Sequence, residues 1–143
     1  MINNELQQIG QRINTQDNRI TQNPMFCVQI KRRDVGYDSK YVDNHCWVDS
    51  ANNETIYDDN PDFNDDKMAM CEMSPDWDEF GYVDRWETVM VAFTEEGCNE
   101  YLRLNGHNDK ARAFRGEIRI YVESFNRCLE MIAIREHLMS LAK

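Results

Sequence analysis

The sequence lacks the features that mark several large classes of protein. Its 143 residues contain no apolar run of about 18, the length that crosses a bilayer, so we expect no membrane-spanning helix. The N-terminus has no basic segment followed by an apolar one, so we expect no secretory signal and a cytoplasmic location. With three prolines, six glycines and no low-complexity tract, the composition is typical of a folded globular chain.

Paired metal ligands are also lacking. The five cysteines are widely spaced and form no C-x-x-C pair, which predicts reduced thiols rather than a disulfide framework. A zinc site would need such paired ligands. A calcium loop starting at Asp58 would need glycine and glutamate where the chain has Phe63 and Ala69. We therefore predict no metal and no cofactor.

Motifs that carry enzyme chemistry are equally scarce. No serine lies in a G-x-S-x-G context, and neither a Walker loop nor a G-x-G-x-x-G loop is present. With 26 acidic residues, any chosen pair of carboxylates is uninformative. We interpret His107 as part of a turn that ends a helix, and His45 as a structural residue in a strand. The sequence predicts no catalytic residue and a protein that is not an enzyme.

Hydrophobic periodicity predicts a single α+β domain, with a mainly antiparallel sheet and about four helices in the order α-β-β-β-α-β-α-β-α. The first helix has Ile2, Leu6, Ile9 and Ile13 on one face. A half-buried strand is predicted at 25–33, because apolar residues alternate with Cys27, Gln29 and Lys31. Two shorter strands are predicted at 41–49 and 54–57.

The second half of the chain predicts a central strand, two helices and a further strand. The segment 86–93 is apolar on both faces, which is typical of a central strand. Thr94 is suited to N-cap a helix that stops at Asn105-Gly106. A strand at 117–122 and a helix at 124–141 follow. Cys98 and Cys128 are both predicted on apolar faces, where a free cysteine behaves as a small hydrophobe.

The net charge of −10 is concentrated in the middle of the chain. Residues 43–87 hold fourteen acidic and two basic side chains, a net of −12, whereas 1–42 carry +2 and 88–143 are neutral. We interpret the chain as one domain, 1–143, with an acidic insertion-like segment at 43–87. Such a segment is either a solvated surface or a surface for a basic partner, and the sequence leaves both open.

The acidic segment contains a helix signal and a dense group of carboxylates. Asn60 is suited to the N-cap and Pro61 to the first helical position, and Ser74-Pro75 would end the helix. Helical geometry would place the first five carboxylates about 2.7 Å apart along the axis, against about 3.4 Å for the charges of one DNA strand. This group, with the aromatic residue that follows it, is the predicted partner-binding surface: Asp58, Asp59, Asp62, Asp65, Asp66, Asp76, Trp77, Asp78 and Glu79. Changing the first five to asparagine is expected to weaken binding and leave the fold intact.

The basic triplet Lys31-Arg32-Arg33 is the main cluster of opposite charge. Three charges without interleaved aromatics are a weak nucleic-acid patch, so an intramolecular partner in the acidic segment or simple solvation is the favoured interpretation. Because phosphate contacts need lysine and arginine, we expect no direct binding to nucleic acid from this acidic chain.

Four segments carry a resemblance to known sequences: Asn23-Pro24 with 28–41, Phe93–Cys98, Tyr101–Asn108, and Arg119–Ser124 with the helix after it. In these segments, over roughly residues 15–140, the chain resembles a family of small phage and prophage proteins of bacteria. The family has no established activity, so the resemblance transfers no catalytic residue. It implies an intracellular protein made in an infected bacterium.

Together these features predict a phage-encoded accessory protein that acts by binding. The leading hypothesis is an anti-CRISPR-type inhibitor whose acidic face blocks a nucleic-acid-binding surface of a host defence complex. Its partner would be a host protein or ribonucleoprotein with a basic surface, in the cytoplasm of the bacterial host. The alternatives are a small enzyme that modifies a host factor or nucleotide, and a phage regulatory or assembly factor.

Overall fold

The computed structural model describes residues 2–50, 53–65 and 77–142. Its elements are helix α1 (Ile2–Thr15), strands β1 (Pro24–Tyr37), β2 (His45–Asp49), β3 (Glu54–Tyr57) and β4 (Asp78–Ala92), helix α2 (Glu95–Arg112), strand β5 (Ile118–Ser124) and helix α3 (Leu129–Leu141). A short 3-10 turn, Phe114–Gly116, precedes β5, and residues 63–65 form a further helical turn. The predicted α+β class is confirmed, and the order of elements roughly matches the prediction.

The five strands form one sheet in the order β3-β2-β4-β1-β5. β1 pairs antiparallel with β5, from Pro24 opposite Ser124 to Ile30 opposite Ile118. β2 pairs antiparallel with both β3 and β4. The position of β4 in the middle of this order confirms the central strand predicted at 86–93.

The prediction of a half-buried β1 is wrong. All five residues from Phe26 to Ile30 are buried, so both faces of the strand are covered there. Side chains of two neighbouring strands shield Gln29 from solvent. The Gln29 side chain donates a hydrogen bond to Thr88 and accepts one from the guanidinium of Arg119. Polar side chains of the neighbouring strands β4 and β5 therefore contact the face of β1 that the alternation of residues predicts to be exposed to solvent.

The chain divides into two compact units. The helical unit contains Met1–Lys31 and Trp86–Lys143, and the acidic unit contains Arg32–Arg85. β1 and β4 each contribute residues to both units. In the helical unit, Phe26, Val28 and Cys98 form the buried core, and partly buried residues of β4, α2 and β5 pack against it.

Helices of the helical unit are held together by a close backbone approach and by ion pairs. A Cβ atom placed on Gly10 of α1 would lie 1.8 Å from the carbonyl oxygen of Leu138 in α3, so only glycine permits this contact. Arg12 of α1 pairs with two carboxylates of α2, Glu96 at 3.3 Å and Glu100 at 2.6 Å. These contacts fix α1 against both α2 and α3.

The start of α2 agrees with its prediction, but its end does not. Thr94 caps the helix by accepting a hydrogen bond from the backbone N–H of Gly97, 3.0 Å away. Cys98 is buried as predicted, and burial raises the pKa of its thiol to about 11. The helix continues through Gly106 to Arg112, so His107 lies exposed on a helix and not in a turn.

Helix α2 continues beyond Gly106 because a single glycine destabilises a helix only slightly. A glycine inside a helix costs only about 1 kcal/mol, and contacts further along can offset that cost. One such contact involves the buried Asp109, whose hydrogen bond with Tyr101 raises the pKa of the tyrosine. The chain instead turns at Arg115 and Gly116, which have positive φ angles of 55° and 68°.

α3 begins later than predicted, at Leu129 rather than near residue 124. Cys128 therefore precedes the helix and is exposed, which overturns its predicted place on an apolar face. Ile134, expected on the same face, is 49% exposed, whereas Leu138 is buried as predicted. The side chain of Arg135 is buried instead, so the inner face of α3 is not the purely apolar stripe that the spacing suggests.

Candidate acidic binding surface

The acidic unit carries the whole net charge of the protein. Residues 32–85 include fifteen acidic and five basic side chains, a net of −10, and the helical unit includes eleven of each. The acidic segment predicted at 43–87 falls almost entirely within this unit. One compact unit is therefore strongly acidic, while the other is neutral.

Arg33 lies at the centre of the acidic unit. Its side chain is 1% exposed, and its guanidinium makes two bidentate ion pairs. Nε and Nη2 donate to Asp84 at 2.6 and 2.9 Å, while Nη1 and Nη2 donate to Asp59 at 3.0 and 2.8 Å. Paired bonds of this fork type are the strongest that arginine makes with carboxylates. The interpretation that the basic triplet finds an intramolecular partner is confirmed for Arg33.

Two tyrosines lie against the Arg33 guanidinium. Its central carbon lies 4.0 Å from the ring centroid of Tyr82 and 4.7 Å from that of Tyr57, which are cation–π distances. Burial lowers the pKa of Arg33, but the hydrogen bonds to Asp84 and Asp59 outweigh this effect, and the pKa is raised overall. The group therefore stays charged in its buried position.

Asp58 joins this network through Tyr82. The tyrosine hydroxyl donates to Asp58 at 2.5 Å, and the backbone N–H of His45 donates to the other carboxylate oxygen at 2.8 Å. Burial raises the pKa of Tyr82, and its hydrogen bond to Asp58 raises it further. His45 begins strand β2, in agreement with its prediction as a structural residue in a strand. Its Nδ1 atom lies 3.3 Å from the carboxylate of Glu79.

The predicted surface residues therefore fall into two groups. Arg33 compensates the charge of Asp59, and Asp58 accepts hydrogen bonds from the Tyr82 hydroxyl and the backbone N–H of His45. Because both side chains make internal contacts, we expect their replacement by asparagine to disturb the fold of the acidic unit. The sequence-based expectation that all five aspartates can be changed without structural cost needs this correction. Asp66 and Asp76 lie outside the described residues.

The remaining predicted carboxylates are exposed: Asp62, Asp65, Asp78 and Glu79. Asp65 lies in a helical turn that begins at Phe63, two residues later than the predicted start at Pro61, and Asp62 directly precedes this turn. Phe63 packs on Trp47 of β2 with ring centroids 5.1 Å apart, which anchors this turn to the sheet. The rest of the helix predicted up to Ser74-Pro75 lies outside the described residues.

Asp78 and Glu79 open strand β4, where they stand opposite Val48 and Trp47 of β2. Trp77, which was predicted beside them as an aromatic anchor, is half-buried. Because β2 contributes both the partner strand of Asp78 and the packing surface of Phe63, a single strand positions the two exposed groups of carboxylates. The acidic charges are therefore presented by an ordered strand framework.

Sequence reasoning missed a cation–π stack in the helical unit. The guanidinium of Arg119 lies 4.2 Å from the ring centroid of Trp86 and 4.6 Å from that of Tyr121. Its Nε atom also donates to the side chain of Gln29 at 2.8 Å. The sequence feature that could have indicated this stack is Gln29, a polar residue inside the apolar run 26–30, because Arg119 donates to it.

The described residues show no arrangement for a metal ion and no membrane-spanning helix. Across residues 2–50, 53–65 and 77–142, no group of three or more His, Cys, Asp or Glu side chains is arranged to hold a metal ion. Within the same ranges, no helix combines the length and the apolar character needed to cross a membrane.

No known protein family, curated protein or solved structure shows significant similarity to the chain.

Proposed function

We propose that this protein acts by binding, and that its acidic unit occupies a basic, nucleic-acid-binding surface of a partner. The observation that carries this proposal is the separation of charge: −10 on residues 32–85 and zero on the helical unit. An acidic surface whose only purpose was solubility would not need to be confined to one compact unit.

The internal network of the acidic unit supports the proposal. Arg33 neutralises part of the charge inside the unit, while the side chains of Asp62, Asp65 and Asp78 remain exposed and make no hydrogen bond or ion pair with other described residues. Their carboxylates are thus available to a basic partner without breaking internal contacts. A surface that is ordered before binding loses less entropy on association.

The partner class follows from the sign and density of this charge. A surface that normally holds nucleic acid is basic, and the effector complexes of CRISPR defence hold their nucleic acids in positively charged channels. With the phage setting that the sequence resemblance implies, we propose an anti-CRISPR-type inhibitor that acts in the bacterial cytoplasm. It would compete sterically and electrostatically with nucleic acid, and its association would be accelerated by the opposite charge of the channel.

A titration of target binding tests this function. Purified CRISPR effector ribonucleoproteins are mixed with a labelled target duplex, and bound DNA is measured by fluorescence anisotropy as the protein is added. We expect inhibition of at least one effector type to saturate at an equimolar ratio, because a competitor must occupy each complex. Polyglutamate serves as the control, since a non-specific polyanion should inhibit only at a large excess.

Two results of the titration would contradict the proposal. Complete inhibition at strongly substoichiometric protein would indicate turnover, and hence the alternative of an enzyme that modifies a host factor. The absence of inhibition for every effector type would remove the CRISPR target class. In either case the acidic unit would need a different role.

A further inference from the structure

The helical unit contains a polar cleft between α1, the segment after it and α3. The cleft has a volume of about 450 Å³ and is lined by Ile13, Asn14, Gln16, Asn18, Gln22 and Asn23 on one side, and by Ile132, Arg135, Glu136 and Met139 on the other. Sites for small organic molecules usually have about 300–1,000 Å³. The size of this cleft is therefore suited to a small molecule.

Arg135 is a buried cationic residue in the wall of the cleft. The residue is 6% exposed, and in the part of the chain that the structure describes it makes no ion pair. Its Nη1 atom contacts the sulfur of Met139 at 3.3 Å, its Nη2 atom contacts Asn18 Oδ1 at 3.4 Å, and its Nε atom has no protein partner. Two long contacts leave most of its five N–H donors unused.

The surroundings of Arg135 contrast with those of Arg33. The Arg33 side chain is also buried, but two carboxylates pair with it and its pKa is raised. Burial lowers the pKa of Arg135, and the attraction of Glu136, which forms no ion pair with it among the described residues, only partly offsets this effect. An uncompensated charge in a protein interior is costly and is usually paired with an opposite charge. Arg135 therefore has the properties expected of a group that pairs with an anion supplied by a ligand.

We propose that this cleft binds a small organic carboxylate, with the carboxylate group held by Arg135. The site lies entirely in the helical unit and does not depend on the role of the acidic unit. The amide nitrogen of Asn18 and the side chain of Gln22, which make no hydrogen bond to other described residues, supply additional polar contacts to the ligand.

The charge of the lining favours a carboxylate over a phosphate. Arg135 is the one cationic residue in the lining and Glu136 the one anionic residue, while the remaining polar residues are neutral amides. A carboxylate carries a single charge and matches the planar fork of a guanidinium. A phosphate monoester carries about 1.5–2 negative charges near neutral pH, so Glu136 would repel it more strongly while Arg135 alone would attract it.

A titration with defined anions tests the site. The protein is titrated with acetate, succinate and benzoate at an ionic strength held constant with chloride, and with inorganic phosphate as the contrasting anion. Binding is followed by the shift in thermal unfolding temperature and by the arginine Nε–H signals in NMR spectra. We expect at least one carboxylate to raise the unfolding temperature and to shift the Arg135 Nε–H signal, and phosphate to do neither.

Arg135→Met is the decisive variant, because methionine fills the space of the arginine stem without its charge. We expect it to lose the response to carboxylate and to unfold at the same temperature as the unliganded wild type or higher, since an uncompensated charge is removed. Arg127→Met, which removes an exposed positive charge from the same unit, should bind as the wild type does. Should Arg135→Met not fold, Arg135→Lys keeps the charge but loses the fork, and should bind about tenfold more weakly.

Three outcomes would overturn the proposal. In the first, none of the three carboxylates binds the wild-type protein. In the second, a carboxylate binds Arg135→Met, or the folded Arg135→Lys variant, as tightly as it binds the wild type. In the third, phosphate binds and the carboxylates do not, which would assign the cleft to a different class of anion.

Discussion

Replacing Arg33 with methionine is expected to lower the free energy of unfolding by about 3 kcal/mol, the lower end of the range for breaking a buried ion pair. The variant leaves Asp59 and Asp84 without their partner, although these side chains are 40% and 28% exposed and gain some solvation from water. It also removes the cation that lies against Tyr57 and Tyr82. Urea denaturation followed by tryptophan fluorescence measures the loss.

Two further variants separate the network from net charge. Lys40→Met removes the same positive charge from an exposed position of the acidic unit, so it should change the free energy of unfolding by less than about 0.5 kcal/mol. Arg33→Lys keeps the charge but loses the bidentate geometry, and we expect an intermediate loss. If Arg33→Met and Lys40→Met had the same small effect, Arg33 would not be the organising residue of the acidic unit.

Neutralising Asp62, Asp65 and Asp78 together as asparagine is expected to weaken binding to the basic channel about tenfold, since each exposed ion pair contributes about 0.2–1 kcal/mol. These three carboxylates are chosen because none takes part in the Arg33 network, so the fold should be unaffected. Glu79 is left unchanged because its carboxylate lies 3.3 Å from His45. The inhibition constant, obtained from the anisotropy titration, is the measured quantity.

The matched control for this variant places the same charge change in the neutral unit. Glu5, Glu123 and Glu130 are exposed residues of the helical unit, and their joint replacement by glutamine also raises the net charge by three. We expect the control to inhibit as the wild type does, since its carboxylates lie outside the proposed binding surface. Equal weakening in both variants would mean that total charge, rather than the acidic unit, determines binding.

Local sequence signals predicted much of the fold, because they act over a few residues. Thr94 is an N-cap in the sequence and in the structure, and the apolar segment 86–93 lies in the central strand. The errors arise where tertiary contacts override local preference. Gly106 was taken as a helix stop, yet α2 continues past it, and the covered face of β1 depends on side chains from other strands.

The sequence predicted the charge of the acidic unit but not which side chains pair with one another inside it. Counting acidic residues located the segment, because the charge is clustered along the chain. The partners of Arg33 were not readable from spacing, since Asp59 and Asp84 are 26 and 51 positions away from it. The burial of Arg135 was missed for a related reason. The periodicity of α3 assigns its inner face to apolar residues and gives no indication that an arginine is buried among them.

The salt dependence of inhibition tests the central claim, that the acidic unit competes for a basic channel, most directly. The inhibition constant is measured between about 50 and 200 mM KCl, a range over which charge-driven binding changes strongly. We expect the affinity of the wild type to fall steeply with salt, the variant with three aspartates replaced to show a shallower slope, and the glutamate control to follow the wild type. An affinity that does not change with salt, or the same slope for the wild type and the aspartate variant, would contradict the claim.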